Sequence, residues 1–187
     1  MSQRNYPDLH DHIKELRASN LLIEINDPIN KDTEMHPLVR WQFRGGIAEA
    51  DRKAFLFTNI IDSLGRKYDL PVIVGALATN PEIYRIGLGC KLDEVGKTWG
   101  RAISNPVKPR LIENAPCHEF VSTGNDLVGV GCGLDALPIP ISTPGFDCAP
   151  YLTATNCITK DPITGIQNMG TYRAGLKASD RLAVRMV

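Results

Sequence analysis

Neither sign of charge is in excess in this sequence. Lysine and arginine total 21, aspartate and glutamate also 21, for a formal net charge of +0. A nucleic-acid surface needs a basic excess, so composition gives that partner class no support. Long apolar runs are missing too. Nothing reaches the roughly 18 residues that a membrane-spanning helix requires. The opening residues MSQRNYPDLHDH are polar and do not form a secretory signal. Cysteine is scarce and badly spaced for metal or disulfide work. Cys90, Cys117, Cys132, Cys148 and Cys157 are odd in number and contain no C-x-x-C pair. That argues against a zinc ribbon and against a disulfide framework. The five are expected to be reduced thiols of a cytoplasmic protein.

What is present is ordinary globular material. The chain has 187 residues, 43% hydrophobic and 22% charged, enough for one domain or one domain and part of a second. Asp8 to Ser19 has Leu9, Ile13 and Leu16 at helical spacing, with Asp8 as its cap. Leu21 to Ile25 is a short strand. Met35 to Ala50 has a helical apolar set, Leu38, Trp41 and Ile47, weakened by Gly45-Gly46. Ala54 to Ile61 and Leu70 to Leu77 are buried-strand candidates around a turn at Asp62-Ser63-Leu64-Gly65. Alternation of such strands with helices predicts an α/β layer. Helices are expected over Glu82 to Gly87 and Leu92 to Ser104. The second places Leu92, Val95, Trp99 and Ile103 on one face, which by default is core.

The run Asn105-Pro106-Val107-Lys108-Pro109 breaks this pattern and marks the expected domain boundary. Residues 1–105 form an α/β domain, and 106–187 begin a strand-rich one. Cys117 to Thr123 is expected to be a strand. Leu137-Pro138-Ile139-Pro140 must be extended, because each proline restricts its predecessor. Tyr151 to Thr159 alternates, with Thr153, Thr155, Cys157 and Thr159 on one face and Leu152, Ala154, Asn156 and Ile158 on the other. Asp161-Pro162-Ile163-Thr164-Gly165 is turn chemistry, and Ile166 to Tyr172 returns as the partner strand. That strand carries Asn168, Gly170, Tyr172 and Arg173. On a regular strand the first three share a face and Arg173 points away. For Asn168 and Arg173 to serve one site, the strand must bend or bulge near Gly170. An amide oxygen suits Mn²⁺ or Mg²⁺, and a guanidinium fork suits a carboxylate or phosphate. A plain hairpin with an exposed Asn and a surface Arg accounts for the same residue types.

Other features have blander readings. Gly129-Val130-Gly131-Cys132-Gly133 fits neither a dinucleotide nor a P-loop pattern, and is expected to be a flexible turn. His10 and His12 are expected to be solvated, and His118 to lie on a strand opposite in facing to Glu119. Arg40, Arg44 and Arg52 form a solvated basic face. Trp41 and Trp99 are expected in the core.

The stretch GIQNMGTYR, 165–173, resembles the N-x-G-x-Y-R signature of the UbiD family of prenylated-FMN-dependent decarboxylases. ENAPCHEFVSTGND (113–126), LPIP (137–140), APYLTATNCITKDPITG (149–165) and RLAVRMV (181–187) are similar to the family's runs, in the same order. The resemblance covers essentially the whole chain and the first part of a family member. It implies an N-terminal α/β domain followed by the first strands of a split β-barrel that binds flavin, an α+β arrangement within the broader α/β class. It implies prenylated FMN as electron sink, with Mn²⁺, and K⁺ beside it, holding the cofactor phosphate. Asn168 matches the amide metal ligand. Thr171, Tyr172 and Arg173, with Arg185, Met186 and Val187, match the cofactor-lining segments. Arg173 also matches the catalytic arginine that meets the substrate carboxylate. The implied reaction is removal of CO₂ from, or its addition to, an aromatic or α,β-unsaturated carboxylic acid. A flavin prenyltransferase would supply the cofactor. The family's His and Glu metal ligands and its acidic proton donor have no counterpart before Val187. The chain alone is therefore expected to be inactive or very weak, and to act as a homo-oligomer or by pairing with a longer chain. The alternative is a non-catalytic assembly subunit.

Overall fold

The computed structural model describes residues 8–185. In chain order the elements are α1 (Leu9–Ala18), β1 (Leu22–Ile25), β2 (Ile29–Asn30), α2 (Met35–Arg44), β3 (Ala54–Phe57), β4 (Ile60–Ile61), β5 (Lys67–Tyr68), β6 (Val72–Val74), α3 (Pro81–Leu88), α4 (Val95–Ser104), β7 (Tyr151–Lys160), β8 (Gln167–Ala178) and β9 (Arg181–Val184). The fold is mixed α/β. Its strands form three sheets, ordered β1-β3-β6, β2-β4-β5 and β7-β8-β9. The chain falls into two compact units, each discontinuous in sequence. One holds the residues up to Asn26 with Val39–Phe57 and Val72–Val121. The other holds Asp27–Leu38, Thr58–Pro71 and the residues from Ser122 on.

In the first unit β3 is the middle strand, parallel to β1 and antiparallel to β6. All four of its residues, AFLF, are buried, as a strand covered on both faces requires. Leu16 of α1, Ala54, Ala76 and Ile83 of α3 make the core, with Leu21, Leu22, Ile73 and Ile86 packed against it. The helix ends follow their sequence signals. Asp8 Oδ1 accepts from the His10 and Asp11 amides at 2.9 and 3.1 Å, and Asp11 Oδ2 accepts from the Asp8 amide at 2.9 Å, a complete capping box. Asn80 Oδ1 accepts from the Ile83 amide at 3.0 Å to start α3, with Pro81 in its first turn. Gln42 of α2 clamps the approach to β3. Its Oε1 accepts from the Lys53 amide at 2.9 Å and its Nε2 donates to the Lys53 carbonyl at 3.0 Å.

Several expectations are corrected here. α2 stops at Arg44, before Gly45-Gly46, rather than running to Ala50. The apolar run 54–61 is two strands in different sheets, not one. The apolar face that sequence assigned to core over residues 92–104 is largely open: Leu92, in the 3₁₀ turn before α4, is 43% exposed, and Trp99 and Ile103 of α4 are 59% and 67% exposed. Trp41 is also on the surface, its ring lying over Gly45. Helical periodicity shows that a face is apolar; it does not show what covers it. Cys117 to Thr123 is not a strand either. Pro116–His118 forms a 3₁₀ turn and the rest is irregular.

In the second unit β4 pairs with β2 in parallel and with β5 antiparallel. Ile29, Ile60 and Tyr68 are its buried residues. The other sheet is an antiparallel meander. Its first turn is closed by Asp161, whose Oδ1 accepts from the Ile163 and Thr164 amides at 2.7 and 2.9 Å. Gly165 supplies the positive φ of 71° that reverses the chain. The glycine run after Val128 leads into a backbone contact with the turn that follows β8. The Leu134 amide donates to the Ser179 carbonyl at 2.8 Å, and at Gly133, φ 52°, a side chain would run into that carbonyl and the Leu127 backbone.

Candidate functional site

β7 carries one residue more than β8 requires. Leu152 opposes Ala174 and Thr155 opposes Tyr172, so Thr153 and Ala154 together face Arg173. This is a β-bulge, and it corrects two expectations. The irregularity lies in β7, not in β8 near Gly170, where pairing is regular from Gln167 to Tyr172. Strict alternation along β7 also fails. Leu152 joins Thr155, Cys157 and Thr159 on one face, because all four oppose even-numbered residues of β8. Asn156 lies on the other face and accepts a hydrogen bond from the Thr171 hydroxyl at 3.1 Å.

Asn168 therefore shares its face of β8 with Tyr172, and Arg173 lies on the opposite one. About five strand residues, roughly 16 Å, separate the two. The structure does not bring them together. The remaining described site candidates do converge. Thr171, Tyr172, Arg173 and Arg185 line a groove of about 600 Å³, together with Tyr151 and Lys177. Lys177 and Tyr151 are the residues that sequence reasoning missed. Lys177 is the extra residue of a second bulge, between the Leu176–Leu182 and Ala178–Arg181 pairs. Met186 and Val187 lie outside the described residues.

Two tyrosines shape this groove by lying on glycines. The Tyr172 ring folds back over Gly170, into the space a side chain there would fill. The Tyr151 ring covers its cross-strand partner Gly175, where an added Cβ would come within 2.9 Å of it. The Arg173 guanidinium stacks on the same Tyr151 ring, 4.2 Å from its centroid. One terminal nitrogen of Arg173 donates to Asp147 Oδ2 at 2.8 Å. The Arg173 charge beside Asp147 holds that carboxyl below its ordinary range, against the opposing effect of burial. The wall thus presents three cationic side chains, Arg173, Lys177 and Arg185, with aromatic and hydroxyl groups between them. Such a wall suits an anionic, planar ligand.

A second polar cluster in the same unit supports β5. Arg66 donates to Asp62 at 3.2 Å, to Asp135 at 2.5 Å, and to the Tyr68 oxygen. The Tyr68 hydroxyl donates to Asp62 at 3.2 Å. Arg66 lowers the Asp135 pKa, and burial raises that of Tyr68 to about 12. Asp62 is buried, which opposes ionisation, yet backbone donors from Arg66 and Leu64 leave its pKa below normal. Sequence showed only the turn that Asp62 closes.

In the first unit, α1 and α3 flank another groove, of about 540 Å³, with Asp11 and Glu15 on its rim. His12, expected in solvent, is half-buried there, its Nε2 2.7 Å from the Ala76 carbonyl. Among the described residues no group of three or more His, Cys, Asp or Glu side chains could hold a metal ion. No helix among them is long and apolar enough to cross a membrane.

Comparison with known proteins places the two parts of the chain in one family. Residues 13–103 match the 3-octaprenyl-4-hydroxybenzoate carboxy-lyase N-terminal domain, and 110–187 match the Rift-related domain of the same carboxy-lyases. Among solved structures, the UbiD-class enzyme HmfF from Pelotomaculum thermopropionicum, in complex with FMN, is similar over 96% of this chain and 36% of its own, at 25% identity and TM-score 0.77. An evolved dimeric form of that enzyme in complex with prFMN gives 24% identity and TM-score 0.79, over 96% of this chain and 38% of its own. The 3,4-dihydroxybenzoic acid decarboxylase of Enterobacter cloacae gives 22% and 0.75, over 98% and 37%. The chain thus spans well under half the length of these enzymes. With an N-terminal and a Rift-related domain together accounting for nearly all of its residues, this chain belongs to the UbiD family of carboxy-lyases.

Proposed function

We propose that this chain provides the flavin-binding wall and the catalytic arginine of a UbiD-type (de)carboxylase acting on an aromatic or α,β-unsaturated carboxylic acid. The observation that carries this reading is the groove itself. It sets Arg173 and Lys177 of β8, and Arg185 just after β9, beside Tyr151 of β7 and Thr171 and Tyr172 of β8. Cationic donors with interposed aromatic rings fit a flavin and its phosphate. Prenylated FMN, delivered by a flavin prenyltransferase, would supply the electron sink for loss of CO₂. The chain's own residues would do the positioning. Thr171 and Tyr172 would line the cofactor, a role that the family resemblance also implies for Met186 and Val187. Arg173 would meet the substrate carboxylate. The domain boundary after residue 105 belongs to the same reading.

Mn²⁺ and K⁺ fit less well on this chain alone. Asn168 is a single neutral donor, and a divalent ion needs several oxygen ligands. In this reading Asn168 would contribute one ligand and other donors would complete the site, so no step is assigned to the metal here.

The test is Arg173→Ala in the complete enzyme. CO₂ release should fall on the order of 10²-fold or more while flavin remains bound. Unchanged turnover would sink the assignment. A second reading, a non-catalytic subunit that pairs with a longer homologue, is favoured by the open apolar face of α4. Co-purification of a full-length homologue would support it, and activity without any partner would oppose it.

A further inference from the structure

Arg173 is fixed from two directions before any ligand arrives. Asp147 grips one of its terminal nitrogens at 2.8 Å. The Asp147 side chain is only 4% exposed, whereas that of Arg173 is 48% exposed. A carboxylate so far out of water needs fixed partners. Its partners include Arg173, the Thr143 side chain and the Thr143 amide, which donates to the same Oδ2 at 2.9 Å. The turn between them is closed again by the Asp147 amide, which donates to the Thr143 carbonyl at 2.9 Å. The anchor is therefore rigid. From the other direction the Tyr151 ring supports the guanidinium plane at 4.2 Å. Tyr151 is itself held by its amide, which donates to the Pro140 carbonyl at 3.0 Å, and by its seat on Gly175.

This arrangement spends little of what the guanidinium offers. It has five N–H donors in a planar fork. Among the described residues Asp147 is its one hydrogen-bonding partner. The other donors belong to a side chain that lines the groove. A mobile arginine must surrender rotamer freedom when it clamps an anion, and one already held does not.

We propose that Asp147 is a positioning residue for Arg173, presetting the guanidinium so that its free edge receives a carboxylate in the groove, with Tyr151 fixing the plane. The proposal rests on the carboxylate-binding reading of Arg173 given above. It also predicts a sign. If Asp147 merely neutralised Arg173, removing its charge would strengthen anion binding. If Asp147 positions Arg173, removing it weakens binding.

The experiment has two arms on this chain. Guanidinium ¹⁵N NMR should show distinct, slowly exchanging terminal N–H resonances for Arg173 in the wild type, and averaged ones in Asp147→Asn. Titration with benzoate, as a plain carboxylate probe, should show binding about three- to tenfold weaker in Asp147→Asn. Tyr151→Leu should be weakened as well, and Asp147→Glu should recover part of the loss. Equal or tighter benzoate binding by a folded Asp147→Asn overturns the proposal, and so do averaged Arg173 resonances in the wild type. The wild-type arm stands whether or not Asp147→Asn folds. If Arg173→Ala binds benzoate as well as the wild type does, the carboxylate reading of the site falls instead, and the resonances alone judge Asp147.

Discussion

Arg66 shows how much of this protein rests on single polar side chains. It joins Asp62 and Asp135, residues far apart in sequence, and both carboxyls sit below their ordinary pKa, as does Asp147 beside Arg173. A carboxyl with a depressed folded pKa adds stability that is fully present above its unfolded value near pH 4 and is lost as pH falls through the folded value. Urea midpoints should therefore hold between about pH 5 and 7 and drop below about pH 4, and Asp135→Asn should flatten that drop. Glycines give a second residue-scale test. At Gly133 the backbone is left-handed and a Cβ would strike the Ser179 carbonyl and Leu127. Gly133→Ala should cost on the order of 1–3 kcal/mol in chemical denaturation. At Gly170 the obstacle is the end of the Tyr172 side chain, which can swing away. Gly170→Ala should leave the urea midpoint nearly unchanged and instead weaken FMN binding, measured by flavin fluorescence. The signature residues were legible one by one in the sequence. Their partners were not, because Tyr151 meets Arg173 only through the pairing of β7 with β8, Asp147 only through the folding of the loop before β7, and the bulge at Lys177 is defined only against β9.

Caps and turns, which are local chemistry, came through most faithfully in the sequence. Asp8, Asn80 and the Asp161–Gly165 turn each act where their residue types place them. Asn80 also donates from Nδ2 to the Arg52 carbonyl at 2.5 Å and is 2% exposed. Asn80→Ala should thus cost more than an ordinary cap, about 2 kcal/mol in urea unfolding, where Asp8→Ala should cost about 1. α4 is the instructive failure. Its apolar stripe reads as core, yet Trp99 and Ile103 are largely open. Trp99→Ser should therefore change stability by no more than about 0.5 kcal/mol. A loss of several kcal/mol would mean the side chain is covered in solution. The bulge in β7 escaped the sequence for a different reason. Nothing in Thr153-Ala154 differs from an ordinary strand, and the extra residue is defined only against β8.

For the whole molecule, the meander β7-β8-β9 leaves β7 and β9 as outer strands among the described residues. Open strand edges invite pairing with another chain. Sedimentation velocity should then show association rising with concentration, and a clean monomer with one cooperative unfolding transition would count against it. The bulge also bears on how this sheet tolerates change in length. Every residue of β7 takes its facing from the β8 residue it opposes, and two residues share Arg173. Losing either Thr153 or Ala154 would therefore leave Tyr151 opposite Gly175 and Thr155 opposite Tyr172. The strand carries one spare residue, placed beside the arginine on which the proposed chemistry depends. A single-codon deletion there would change the local bend and nothing about which side chain faces which way, so it could separate the curvature of this wall from its composition.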